Sequence, residues 1–367
     1  MRAWHLSLLL MVPAAVAAAS CALEAFEKVE DVPEKPVCGH ALAPSPPAVT
    51  NAGGDETFVV ALKTLRLQEI AGADAGPLGL DLDRFCTCET EGPSCIAPMG
   101  QPDGGSCDGI EGRDNAVEGL FTQLAGALNK QDMGAFYSEF AGKGVWSVLF
   151  RVRGYNGQPN DDQVRLDWYV SGGFGAQPLW DGTDAWPIAA KSLPPGSTDL
   201  EQPRYFDPKA YVTDGVLVAS LPEGAVMLGG GLTNIELRLT TGTLMARIQK
   251  GADGRYSLVD SLLAMRIKIE DVFLMLSSFR NEEGHAFCTD DLLWSQIIKR
   301  NICLAPDIQA GAPEPNKPCN AVSFSMGFDA YPAQLGALVP DPPPPPGCPM
   351  ATDPIYDSCE AKDAGAP

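Results

Sequence analysis

Residues 145–170 read VWSVLFRVRGYNGQPNDDQVRLDWYV, and this stretch decides the fold class. Trp146, Val148, Phe150 and Val152 alternate with Ser147, Leu149, Arg151 and Arg153. After the turn-rich Asn156 to Asp162, Val164, Leu166, Trp168 and Val170 alternate in the same way. A repeat of two is that of a strand whose successive side chains point to opposite faces, so the pair predicts a hairpin with one face buried.

The same reading extends in both directions. Upstream, Phe58, Val60 and Leu62 predict a first strand over Thr57 to Glu69. Downstream, strands are expected at 210–213 and 216–221, joined by the hairpin signal Asp214-Gly215, and at 235–240, 244–249, 256–259 and 262–269. Gly229, Gly230 and Gly231 lack the flanking strand and helix of a dinucleotide site and read as a bend or bulge. Many short strands with frequent turns argue for an antiparallel sandwich or barrel. The expected class is mainly β with α additions: an antiparallel β-sandwich, jelly-roll-like, with a disulfide-rich acidic loop and a few short helices.

Helical spacing is confined to short runs. Ala116, Leu120, Leu124 and Leu128 recur every fourth residue behind Asp114 or Asn115, either of which suits an N-cap. Further short helices are expected at 132–140, 271–279 and 291–302. The end is expected to be irregular, with five prolines at 342–346. The chain then divides into a signal (1–20), a Pro-rich stalk (21–56), a strand, Cys-rich acidic loop and helices (57–143), an antiparallel β body (144–280) and a disulfide-tied C-terminal segment (281–367).

Of 367 residues, 26 are Lys or Arg and 47 are Asp or Glu, a formal charge of −21. That balance argues against nucleic acid or an anionic membrane surface as a main partner, because binding phosphate draws on clustered basic side chains. Arg2, the apolar run Leu6 to Ala19 and its small-residue end have the form of an export signal. The run is too short to span a bilayer. It closes Ala18-Ala19-Ser20-Cys21, which resembles the lipobox of bacterial lipoproteins, with Ala18 where Leu is usual. The resemblance implies that Cys21 is lipidated, becomes the first residue of the mature chain and anchors it in a membrane. Ala22 follows instead of Asp, which implies the outer membrane or cell surface.

Eleven cysteines are present, and lipidation of Cys21 leaves ten. In an oxidising compartment these make five disulfides among Cys38, Cys86, Cys88, Cys95, Cys107, Cys288, Cys303, Cys319, Cys348 and Cys359. A helix over 291–302 would hold Cys288 and Cys303 too far apart to pair. Cys303 is then expected to reach Cys319, and Cys348 to pair with Cys359. Cys86 and Cys88 go to different partners, among Cys95 and Cys107 or further away. Zinc is the competing use of such a loop, but neither His40 nor His285 has ligand spacing to it.

Two stretches could carry chemistry. Residues 79–88, GLDLDRFCTC, and 107–115, CDGIEGRDN, set alternating Asp on a Gly-rich loop. Calcium takes six to eight oxygens, so Asp81, Asp83, Asp108, Asp114 and Asn115 are its candidate ligands, although no EF-hand spacing is present. The alternative is that these are solvated turn formers. Residues 180–186, WDGTDAW, place two Trp beside two Asp, the composition of many sugar sites. Trp180, Asp181, Asp184 and Trp186, with Arg204 and Tyr205, are the candidate ligand-binding set; the alternative is that both rings plug the end of the body. The sequence has no Gly-x-Ser-x-Gly elbow, no His-Glu-x-x-His motif and no Walker loop. The expected role is therefore non-enzymatic: binding or adhesion at the cell envelope to a glycan or protein, assisted by calcium. The competing readings are a structural subunit of an envelope assembly and a carbohydrate-active hydrolase, whose paired carboxylates need no motif.

Overall fold

The computed structural model of the chain describes residues 37–48, 53–67, 78–100, 107–127, 132–230, 233–279, 286, 288–292, 294–341 and 347–359. The signal, Cys21, the first part of the stalk, His285 and the five-proline run lie outside the described residues.

The strands are β1 (Glu56–Arg66), β2 (Val148–Tyr155), β3 (Asp161–Val170), β4 (Ala185–Ala189), β5 (Tyr205–Thr213), β6 (Val216–Gly230), β7 (Thr233–Lys250), β8 (Tyr256–Lys268), β9 (Ala321–Pro332) and β10 (Gln334–Val339). Eight of them pair in the order β1-β2-β3-β5-β6-β7-β8-β9 and close into a barrel through β9 and β1, while β4 and β10 form a separate parallel pair. The barrel pairings are antiparallel, as the alternation predicts, and neighbours in sequence are neighbours in the wall.

The alternation in residues 145–170 explains why the wall curls. Val148, Phe150 and Val152 pair with Val170, Trp168 and Leu166, and all six are buried in the main core. Phe150 meets the Trp168 ring edge-on at 5.3 Å and the Phe328 ring at 5.4 Å, so side chains fill the centre. Gly224 makes room for this: a Cβ there would sit 3.0 Å from the Trp168 ring. Apolar side chains inside and charged ones outside are the reverse of a transmembrane barrel. Among the described residues no helix is long and apolar enough to cross a membrane.

Strand β9, with Val322, Phe324, Met326, Phe328 and Ala330 facing the core, corrects the expectation of an irregular end. Of the three glycines read as a bend or bulge, Gly229 and Gly230 instead continue the β6–β7 ladder opposite Asn234 and Thr233, and Gly231 lies outside the described residues. Pro208, inside β5, lacks an amide proton; the neighbouring Asp207 carboxylate accepts from the Lys209 and Ser220 amides where the ladder is interrupted.

Helices α1 (Val117–Ala127), α2 (Met133–Gly142), α3 (Ile269–Ser278) and α4 (Lys299–Leu304) pack on the outside and ends of the barrel. Asp132 caps α2 by accepting from the Ala135 amide. Gly134 lets α2 lie against β1, because a Cβ there would be 2.8 Å from the Leu65 carbonyl oxygen. The helix expected over 291–302 is present as a π-helical turn at Trp294–Ile298 that runs directly into α4.

Five disulfides are formed: Cys38–Cys86, Cys88–Cys107, Cys95–Cys319, Cys288–Cys348 and Cys303–Cys359. They fit an exported chain. Cys288 and Cys303 avoid each other as expected, but the pairings proposed for Cys303 with Cys319 and for Cys348 with Cys359 are wrong. The reason is β9: it carries Cys319 away from α4 to the acidic loop, and the C-terminal segment folds back over α4 and the π-turn. The stalk expected over 21–56 does not extend to residue 56. From Cys38 on it is fastened to the body, with the Ala41 amide on the Glu111 carbonyl and the Tyr211 hydroxyl on the Pro44 carbonyl.

Candidate functional site

The acidic loop lies on the outer face of β7 and β8. Leu78 and Leu80 pack with Leu262 and Ala264, and the Asp114 amide bonds to the Leu80 carbonyl. Leu80 and Leu82 point toward the barrel and Asp81 and Asp83 toward the loop's own centre, where both are buried with Asp114. One oxygen from each of these three carboxylates lies within 4.8 Å of the other two.

Each carboxylate is aimed by an amide. The Arg84 amide donates to Asp81 Oδ1 (2.6 Å), the Phe85 amide to Asp83 Oδ1 (2.9 Å), the Thr87 amide to Asp108 Oδ2 (2.6 Å) and the Leu82 amide to Asp114 Oδ2 (2.6 Å). His40 Nδ1 donates to Asp81 Oδ2 at 2.5 Å. Gly112, at φ +70°, closes the centre: a Cβ would meet Cys86 Sγ at 2.9 Å and Asp81 Oδ2 at 3.1 Å. Asp307 approaches from the segment before β9, where Ser323 donates to both its oxygens through its amide and hydroxyl.

Burial and mutual repulsion favour the protonated acids. Burial, then Asp83, Asp307 and Asp108, push Asp114 up to about 10. Burial first pushes Asp108 to about 7 and Asp307 to about 6, and Asp83 also upward. The compensating cation is Arg266, whose Nη1 and Nη2 donate to the Thr241 and Leu82 carbonyls. A divalent ion would supply the missing positive charge. Oxygens bound to one calcium at roughly 2.3 to 2.6 Å can stand no more than about 5 Å apart, and Asp81, Asp83 and Asp114 meet that condition. Asp108 and Asp307 border the same group and, with Asp114, line an adjoining cavity of about 320 Å³. Asn115 does not fit, because its Oδ1 accepts from the Ser325 amide of β9. His40 also stands near Cys38 and Cys86, but both sulfurs are in a disulfide and offer no thiolate to zinc.

The tryptophan loop is structural in its main part. Trp186 is fully buried against the rings of Phe174 and Trp180, and both oxygens of buried Asp184 accept from the Leu179 and Trp180 amides. Lys63 covers Trp180 at 5.1 Å. The alternative in which the rings plug the body fits Trp186, the ligand reading's side-by-side exposed pair is not formed, and exposed Asp181 bonds to Thr183 in its own turn. Arg204 and Tyr205 are elsewhere, in a cleft of about 460 Å³ outside β6 and β7. There Arg204 Nε and Nη2 hold the two oxygens of Glu223 at 3.3 and 3.0 Å, while Lys191 and Arg238 hold Glu236 at 2.9 and 3.4 Å. Burial opposes ionisation of Glu236, but the two cations outweigh it and keep its carboxyl below the ordinary range.

Sequence reasoning missed His40, Asp307, Arg266 and the Lys191, Glu223, Glu236 and Arg238 cleft. Asp307 and Arg266 carry no local signal, since they come from segments far from the acidic loop in the chain. Arg238 and Glu236 had one: they alternate with buried Ile235, Leu237 and Leu239 on an outward strand face. No protein-family model matches the chain, and no curated protein or solved structure shows significant similarity to it.

Proposed function

We propose that this chain is an exported envelope protein, held by a lipid on Cys21, with a non-enzymatic binding role and a calcium ion in the acidic loop. The observation that carries the calcium reading is the convergence of Asp81, Asp83 and Asp114 in a buried centre that Asp108 and Asp307 also face and that has Arg266 as its fixed cation. The ion would be held by the first three carboxylates, with Asp108 or Asp307 reached from the adjoining cavity. It would fasten the loop to β8 and β9 and so set the shape of the outer surface. The absence of a nucleophile–base motif and the pairing of Glu236 with Lys191 and Arg238, which keeps its carboxyl below the ordinary range, support binding over hydrolysis, since a glycosidase acid needs a raised pKa.

The test is thermal melting of the chain with 1 mM calcium, in buffer strength of the order used for such linkage measurements, against the same protein in EDTA. A higher midpoint in calcium is expected. The Asp114→Asn variant should lose that difference while melting no lower than the parent in EDTA, because Asn keeps an oxygen for the Leu82 amide and is uncharged, as the protonated Asp114 is without the ion. An unchanged midpoint on chelation of the parent rejects the calcium site.

A further inference from the structure

The second cleft is separate from the acidic centre, and its wall has a specific charge pattern. Lys191, Arg204, Arg238 and Lys268 supply four positive groups. Glu223, Glu236, Asp271 and Asp341 supply four negative ones. An inorganic anion entering it meets four carboxylates, and a metal cation meets four bases, so neither gains from the whole wall.

The pairs are also held in fixed orientations. Arg204 grips Glu223 through two nitrogens and its guanidinium lies 5.2 Å above the Tyr205 ring. Glu236 is fixed from two sides, by Lys191 and Arg238, and the Lys191 amide donates to Asp341. Arg204, Arg238 and Lys268 all line the cleft, and among the described residues the bonds of Arg204 to Glu223 use Nε and Nη2 and that of Arg238 to Glu236 uses Nε. Donors and acceptors therefore line one cavity together, and Tyr205 and Leu239 line it with them. A hydroxyl donates and accepts at once, and adjacent hydroxyls on a ring can bridge a carboxylate and its neighbouring guanidinium without changing net charge. Orientation fixed before binding lowers the entropic cost of association.

We infer that this cleft, between Lys191, Arg204, Glu223, Glu236 and Arg238, is the binding site of a neutral oligosaccharide. At about 460 Å³ it is within the size range of small-ligand sites. The inference rests on reading the chain as a binding protein and names the ligand class; it does not depend on the metal, whose candidate ligands are a different set of residues.

The experiment is saturation-transfer NMR and calorimetry on the full chain with maltotriose, chitotriose and cellotriose, with inorganic phosphate as the anion control, each in calcium and in EDTA. Saturable binding of at least one trisaccharide is expected. Arg238→Ala and Glu223→Gln should weaken it tenfold or more while leaving the melting midpoint within a degree or two. Arg238 and Glu223 are partly or largely exposed, so both variants should fold. Binding of phosphate alone, or of none of the trisaccharides, overturns the inference. Sugar binding unaffected by either substitution overturns it as well, because the site then lies elsewhere. Failure here with a calcium-dependent midpoint leaves the metal reading intact, and the reverse result separates the two the other way.

Discussion

Cys95 is bonded to Cys319 across 224 positions of sequence, and the bond clamps the acidic loop to the segment that leads into β9. Backbone hydrogen bonds repeat the connection, with the Ile96 amide on the Lys317 carbonyl and the Cys319 amide on the Ile96 carbonyl. Asp307 and Ser323 belong to the same neighbourhood, so the clamp sets the distance between the loop carboxylates and the barrel wall.

Replacing both Cys95 and Cys319 with Ser should therefore lower stability by about 2 to 5 kcal/mol, read by chemical denaturation. The midpoint gain on adding calcium should shrink at the same time. A variant that keeps the full gain would show that the carboxylates hold their places without the clamp.

The acidic centre also sets a pH dependence. Asp108, Asp307 and Asp114 bind protons more tightly in the fold, at about 7, about 6 and about 10, than an unfolded Asp at about 3.9. The native state thus holds more protons than the unfolded one between those values, and stability falls as pH rises through them. In EDTA the melting midpoint should drop from pH 5 to pH 8. Calcium competes for the ionised forms, so its stabilisation should be larger at pH 8 than at pH 5. A midpoint in EDTA that climbs over this range would contradict the burial of these acids.

Asp167 is wholly buried and touches three arginines: Arg151 at 2.9 Å, Arg153 at 2.8 Å and Arg165 at 2.6 Å. Arg151 and Arg153 continue to Glu201, which draws the 194–204 segment over the outside of β2 and β3. Asp167→Ala should cost about 3 to 5 kcal/mol by leaving neighbouring charges uncompensated. Urea denaturation measures it, and a loss under about 1 kcal/mol would mean that Glu201 alone suffices.

Trp186→Ala should also destabilise by about 3 to 5 kcal/mol, since its ring is fully buried between the barrel and the β4–β10 pair. Trp180→Ala should leave trisaccharide binding unchanged. Loss of binding in the Trp180 variant at constant stability would return the ligand site to this loop.

Strand alternation made the wall legible because period two survives wherever one face is apolar, as in Phe150 and Trp168. It was equally present in β9, where Val322, Phe324, Met326 and Phe328 alternate with Ser323, Ser325 and Gly327. The cysteine count was legible; the pairing was not, because it follows from β9 lying beside β1 and β8. Asp81, Asp83 and Asp114 could be grouped from a local Gly-rich context. Asp307 could not, as only tertiary folding brings it to them. The Trp180 and Trp186 loop left two readings open because aromatic rings beside acids describe a sugar site and a packed corner equally well.

The barrel centre is filled by Phe150, Trp168 and Phe328. Among the described residues these rings put side chains where a lumen would run, and the two candidate sites both lie on the flanks. Those flanks are loops laid over a rigid spindle. Diversifying what the molecule touches would require rewriting its upholstery and leave the frame alone.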